Sequence, residues 1–229
     1  MTIKPHGDND FEHDLGLLRE RFLFMGAKVE AMLAGSIKAF RDKDGQGAET
    51  VIAMDRDVDR LEMEIDHLCM STLARYAPVA TDLRFVGMTL KSVTDLERIG
   101  DIAVNIGERV LDLLPDPTRW EYPQLIEMGG IVQGMLRDAL DAFVSTDVAR
   151  AKEVIERDRG VDASYVRIFH DVLQALIDDR SAVQRGMAIQ AVAKYLERTG
   201  DHAKNLAEQV VFLVEGTDIR HSGPPPDAS

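Results

Sequence analysis

Apolar residues recur along this chain at spacings of three and four, in six long runs. The first covers about Phe11 to Arg41, with Leu15, Leu18, Phe22, Met25, Val29 and Met32 on one stripe, the period of an amphipathic helix. The segment from Asp42 to Gly47 breaks it. The second runs from about Ala48 to Tyr76, with Val51, Met54, Val58, Leu61, Ile65 and Leu68 in phase. Pro78 closes it, and Thr81 is the expected N-cap of the third. The third carries Leu96, Ile99, Ala103, Ile106, Val110 and Leu113 and stops near Leu114, ahead of Pro115 and Pro117, because proline cannot continue a helix. Pro115 to Pro123 reads as a linker. A fourth helix is expected from Tyr122–Leu125 to about Thr146, a fifth from Val148 to Asp178, and a sixth beyond a cap at Ser181. No stretch alternates as a strand would. Helices of about 30 residues are about 45 Å long, and three joined by short loops must run antiparallel. The expected fold is therefore all-α: two antiparallel three-helix bundles over residues 11–114 and 122–214. Residues 215–229, which include Gly223-Pro224-Pro225-Pro226, are expected as a disordered tail.

The two bundles are copies. Leu96-Glu97-Arg98-Ile99-Gly100-Asp101-Ile102-Ala103-Val104-Asn105 returns as Leu196-Glu197-Arg198-Thr199-Gly200-Asp201-His202-Ala203-Lys204-Asn205. Upstream the shift is 103: Met25-Gly26 falls on Met128-Gly129, Ala39-Phe40 on Ala142-Phe143, Asp55 on Asp158 and Val58-Asp59 on Val161-Asp162. Downstream it is 100, so the first copy carries three extra residues between Tyr76 and Thr81. A repeat kept in register over such a length makes the architecture a doubled supersecondary unit.

The repeat also doubles an acidic pattern. Residues four apart stand one above the other on a helix. One step past the apolar stripe, the second helix reads Ile52, Asp55, Asp59, Glu62, Asp66, Cys69, Leu73, and the fifth reads Ile155, Asp158, Asp162, Tyr165, Phe169, Val172, Leu176. The third and sixth helices add Glu97 with Asp101 and Glu197 with Asp201. A single Asp-x-x-x-Asp is ordinarily a solvated face, and Arg98 can pair with Asp101 at i+3. Four such pairs at matched positions beside apolar lines are different, because unpaired carboxylates there repel one another and lose hydration. Carboxylates meeting between helices call for a hard cation: iron, manganese, magnesium or calcium. A zinc site of the usual His/Cys kind finds few such ligands here. A ferritin-like iron enzyme needs Glu-x-x-His on two helices; Glu64 with His67 is one match without a repeat partner. A metal-dependent enzyme using the carboxylate clusters is the alternative function. Arg84 sits in the first turns of the third helix, where it can face a partner or an anion, and Asn105 and Asn205 are either outer ligands or interhelical bridges.

Composition narrows the class. The chain is 45% hydrophobic and 29% charged, with a net charge of -13. That surface repels phosphate backbones and argues against nucleic-acid binding. The single cysteine, Cys69, permits no disulfide framework and fits a reducing compartment. The polar first ten residues lack the apolar core of a signal peptide, and no apolar run approaches the length of a membrane span.

Leu-Glu-Arg-x-Gly-Asp-x-Ala-x-Asn used twice, Pro78-Val79-Ala80-Thr81-Asp82-Leu83-Arg84, and the Asp-x-x-Val-Asp of the second and fifth helices resemble the PhoU family over about Phe11 to Val214. The second copy departs mildly at Thr199, Lys204 and Arg180-Ser181. The resemblance implies two symmetric three-helix bundles with multinuclear metal clusters held by acidic motifs, iron first, with zinc, manganese or magnesium as alternatives. By matching positions the ligands are Asp55, Asp59, Glu97 and Asp101 in one half and Asp158, Asp162, Glu197 and Asp201 in the other. It further implies a cytoplasmic, often homodimeric negative regulator of phosphate uptake and of the phosphate-starvation response. Its partners would be the ATPase subunit of a phosphate ABC transporter and a sensor histidine kinase.

Overall fold

A computed structural model describes residues 8–116 and 121–216. The expectations for the first seven residues, for 117–120 within the linker and for the tail beyond Gly216 lie outside the described residues. Six α-helices follow one another: α1 (Asp8–Asp42), α2 (Gly45–Tyr76), α3 (Ala80–Leu113), α4 (Pro123–Ser145), α5 (Val148–Asp178) and α6 (Val183–Glu215). Among the described residues there is no strand.

The repeat reaches into the turns. Lys43 and Thr146, equivalent positions, both end their helix in the left-handed region, with φ of 58° and 52°. Each is followed by an aspartate that caps the next helix: Asp44 accepts from the Gly47 N–H and Asp147 from the Arg150 N–H. A carboxylate at that place satisfies an orphan donor and complements the positive end of the helix dipole. The three extra residues of the first copy are Ala77 to Val79, the loop between α2 and α3. The second copy has Asp179 there, followed by a 3-10 turn at Arg180–Ala182. Two expected caps are corrected. Thr81 lies inside α3, whose N-cap is Val79, and its hydroxyl accepts from Arg84. Ser181 belongs to the 3-10 turn, held by the Asp179 side chain, and α6 starts after Ala182. The extended backbone at Val79 and the tight turn at Arg180 move both helix starts, which spacing alone does not reveal.

The two halves lie side by side and share one core. α3 and α6 pack on each other, and α1 on α4. The predicted stripe residues Leu18, Phe22, Met25, Val29 and Met32 are fully buried, as are Leu96, Ile99, Ala103, Ile106 and Val110. Between the halves the Phe143 ring lies 4.3 Å from Phe22 and 5.9 Å from Phe85. Leu140 packs where Gly26 has no side chain, and Ile37 where Gly129 has none. A polar clasp joins the same surfaces: His202 Nδ1 lies 2.8 Å from Asp95 Oδ1, and the Asn205 amide donates to the same oxygen at 3.1 Å.

A shared core makes unfolding a single event. Denaturant melts followed by helix content and by near-ultraviolet signal should coincide, and Phe143→Ala should lower stability by about 3–5 kcal/mol. Two separated transitions would show that the halves fold independently.

Candidate metal centres

The acidic residues meet where two helices cross, and a glycine fixes the crossing. Gly100 sits between Glu97 and Asp101 on α3; Val58 sits between Asp55 and Asp59 on α2. A Cβ built on Gly100 would lie 3.4 Å from the Val58 side chain, an ordinary contact distance, so the two helices touch directly at this glycine. In the second half a Cβ on Gly200 would meet Val161 at 3.2 Å, and the pairs Asp158/Asp162 and Glu197/Asp201 flank that contact in the same way. The valine-on-glycine contact is therefore what carries each pair of carboxylates to its neighbour.

At the α2–α3 crossing the acids influence one another strongly. Burial, with the charge of Asp101 next, pushes Glu97 up to about 7 from 4.5, against an opposing pull from Arg98. Burial and then Asp59 and Asp101 raise Asp55. Burial raises Glu62, helped by Asp66 and Asp59. One buried oxygen of Asp66 has no hydrogen-bond partner. Arg98, half exposed, lies 3.4 Å from Glu97 and 3.3 Å from Asp101. Such an arrangement holds negative charge at a cost that a cation would relieve. Among the described residues no three His, Cys, Asp or Glu side chains are gathered tightly enough to form a coordination sphere as they stand. The donor set itself is all oxygen and suits a hard ion.

The α5–α6 crossing has the same four carboxylates in a different setting. Asp158 is 3% exposed. Its Oδ2 takes a bond from the Lys204 ammonium at 2.7 Å, while Oδ1 is buried without a partner. Lys194 donates to both oxygens of Glu197, at 2.7 and 2.6 Å, and stands over the Tyr165 ring at 5.3 Å. Asp201 and Asp162 are both exposed; partial loss of hydration and then the neighbouring acids raise them, with Lys204 opposing. Here the chain supplies its own positive charge, so this crossing leaves less negative charge uncompensated than the first.

Other expectations resolve simply. Asn105 bonds the Asp101 backbone carbonyl within α3 at 2.8 Å, whereas Asn205 bridges to α3 through Asp95. Arg84 is engaged inside the molecule, its Nε donating to the Leu213 carbonyl at the end of α6 at 3.3 Å. His67 and Glu64 are exposed, and Arg60 and Arg21 each lie 3.9 Å from Glu64. Cys69 is buried, its thiol pushed up to about 12, which disfavours the thiolate a metal would need. Sequence reasoning left out Glu62, although it continues the acidic line one turn past Asp59. It noted Lys204 as a departure but did not read it as a counter-ion; Val104 at the equivalent position was the available signal.

The PhoU domain family model matches residues 22–110 and 125–210. A Pseudomonas aeruginosa protein named as a phosphate-specific transport system accessory protein PhoU homolog is 36% identical over 97% of this chain and 92% of its own length. The Escherichia coli protein of that name is 30% identical over 97% of this chain and 92% of its own. Among solved structures, that of PhoU from Pseudomonas aeruginosa superposes with a TM-score of 0.88 at 36% identity, covering 90% of this chain and all of that one. The regulatory protein PhoU from Streptococcus pneumoniae gives 0.85 at 29% identity, covering 91% and 98%.

The raised Glu97 predicts a pH signature. The folded chain keeps a proton on Glu97 that the unfolded chain has lost between 4.5 and about 7. This contribution is complete below 4.5 and vanishes as pH rises through about 7. In chelator, the urea midpoint should fall from pH ~5 to ~8, and the fall should shrink in Glu97→Gln. Equal pH slopes in both proteins would contradict the assignment.

Proposed function

The chain belongs to the PhoU family, and from that premise we propose that it is a metal-bearing negative regulator of phosphate uptake and of the phosphate-starvation response. In this reading it connects the ATPase subunit of a phosphate ABC transporter to a sensor histidine kinase. Its metal, iron first and otherwise zinc, manganese or magnesium, is held by Asp55, Asp59, Glu97 and Asp101; in the repeat-equivalent set of Asp158, Asp162, Glu197 and Asp201, lysines already occupy Asp158 and Glu197. The observation that carries this reading is the helix crossing at Gly100, where carboxylates from two helices are kept together and Glu97, Asp55 and Glu62 hold their protons more tightly than free carboxyls do. A hard ion there would draw the acids of α2 and α3 onto one charge and stiffen the crossing. The names of the relatives, accessory proteins of phosphate-specific transport, supply the physiological setting.

An adaptor also needs a protein-facing surface. On the second half Val166, Phe169, Leu173, Ile177 and Met187 stand 43–67% exposed. The first four continue one stripe of α5, beside a groove of about 410 Å³ whose walls include Tyr165, Leu176 and Ala191. A contiguous exposed apolar patch of this kind marks an interaction surface. The working form is a cytoplasmic homodimer peripheral to the transporter; among the described residues no helix is long and apolar enough to cross a membrane.

Deleting the gene should switch on phosphate-starvation genes in phosphate-rich medium. The wild-type chain should restore repression, and the quadruple variant Asp55→Asn, Asp59→Asn, Glu97→Gln, Asp101→Asn should not. Repression that persists in the deletion strain overturns the regulatory role; full rescue by the quadruple variant overturns the role of the metal. Because the α5 stripe is exposed, Phe169→Glu with Leu173→Glu should leave the fold intact and weaken co-purification of the transporter ATPase by about tenfold or more. Unchanged co-purification would move the contact elsewhere.

A further inference from the structure

We infer that the two crossings have diverged in kind: the Lys204 ammonium is a built-in cation at the α5–α6 crossing, leaving the α2–α3 crossing as the one that takes a divalent ion from solution. This rests on the metal-bearing reading above and deepens it.

The divergence lies in four repeat-matched positions. Val104 becomes Lys204, Thr94 becomes Lys194, and Glu62 becomes Tyr165. One further turn along α2, Asp66 becomes Phe169. The first crossing thus gathers six acids, Asp55, Asp59, Glu62, Asp66, Glu97 and Asp101, around one half-exposed arginine. The second keeps four acids and gains two ammonium groups, both in place: Lys204 on Asp158 at 2.7 Å and Lys194 on Glu197 at 2.6 Å.

Position matters as much as charge. Asp158 is the most deeply buried of the eight predicted ligands, its side chain 5% exposed. An ion entering this crossing would need that carboxylate, and Lys204 already holds it. The ammonium sits on the neighbouring helix, one turn beyond Asp201. It is tethered to the site, so its effective concentration is far above that of any dissolved ion. A lysine is also a compact point charge, suited to standing where a small cation would. Lys204 engages Oδ2 of Asp158 alone, and the buried Oδ1 has no hydrogen-bond partner. At the first crossing the equivalent side chain is a valine, which can neutralise nothing.

Manganese(II) binding to the full-length chain, measured as bound metal after dialysis, separates the crossings. Glu97→Gln with Asp101→Asn should weaken binding at least tenfold, whereas Glu197→Gln with Asp201→Asn should leave it within about twofold. Lys204→Met, which keeps the length and loses the charge, should add binding that the wild type lacks. Equal losses from the two double variants, or no gain in Lys204→Met, overturns the inference while the metal-bearing reading stands. If the wild type binds no manganese, iron or zinc, that reading fails, and the lysine's role is read in chelator alone. There Lys204→Met should lower Tm by several degrees and Val104→Lys should raise it. No shift in either variant overturns the built-in cation.

Discussion

The two helices of each pair meet on a glycine: Val58 packs on Gly100 and Val161 on Gly200, at or just inside ordinary contact distance of where a side chain would begin. Everything of chemical interest follows from this contact. Acids stand three residues before and immediately after both the glycine and the valine, so the packing that buries the valine also brings like charges together. Hydrophobic burial and close packing favour the approach; electrostatic repulsion and lost hydration oppose it. The weakened acidities of Glu97, Asp55 and Glu62 are the trace of that opposition. The fold accepts that cost twice, at the same place in both halves.

The source of that positive charge differs between the halves. In the second, lysines from α6 come to Asp158 and Glu197. In the first, Arg98 reaches the edge of the cluster from a half-exposed position. An exposed pair of this sort contributes little, which leaves most of the first cluster's charge to be met from outside. The halves are otherwise bound into one body by the Phe22, Phe85 and Phe143 rings and by Asp95 with His202 and Asn205. An ion that tightens one crossing therefore acts on a helix, α3, that also packs against α6. This is a physical route by which the first half can bear on the exposed α5–α6 face, through α6 and its packing on α5.

Most of the fold was legible in the sequence because helical periodicity is a strong signal over 30-residue runs, and because the repeat supplied each helix twice. The stripes of α1 and α3 are buried as their spacing demands. The errors fell at helix starts. Thr81 and Ser181 look like caps by composition, but the three-residue loop before α3 and the 3-10 turn before α6 set the boundaries instead. Position along single helices exposes the acidic lines, and the family resemblance singles out eight of their carboxylates as ligands; the structure sets each four beside one helix crossing. Periodicity could not show which cations share those crossings. Lys204 reads as a solvated residue until α5 is laid against α6, and Glu62 as one more charge on an acidic face until Arg98 and Asp101 stand near it. Arg84 likewise looked outward on a helix wheel and turns out to tie α3 to the last turn of α6.

The most direct measurement is an anomalous-scattering map from crystals of the full chain grown with manganese. Strong density between α2 and α3, within coordinating distance of Asp55, Asp59, Glu97 or Asp101, is the predicted result. A map with no density at that crossing, or with its metal bound at sites remote from these carboxylates, would contradict the claim that the valine-on-glycine contact assembles a cation site.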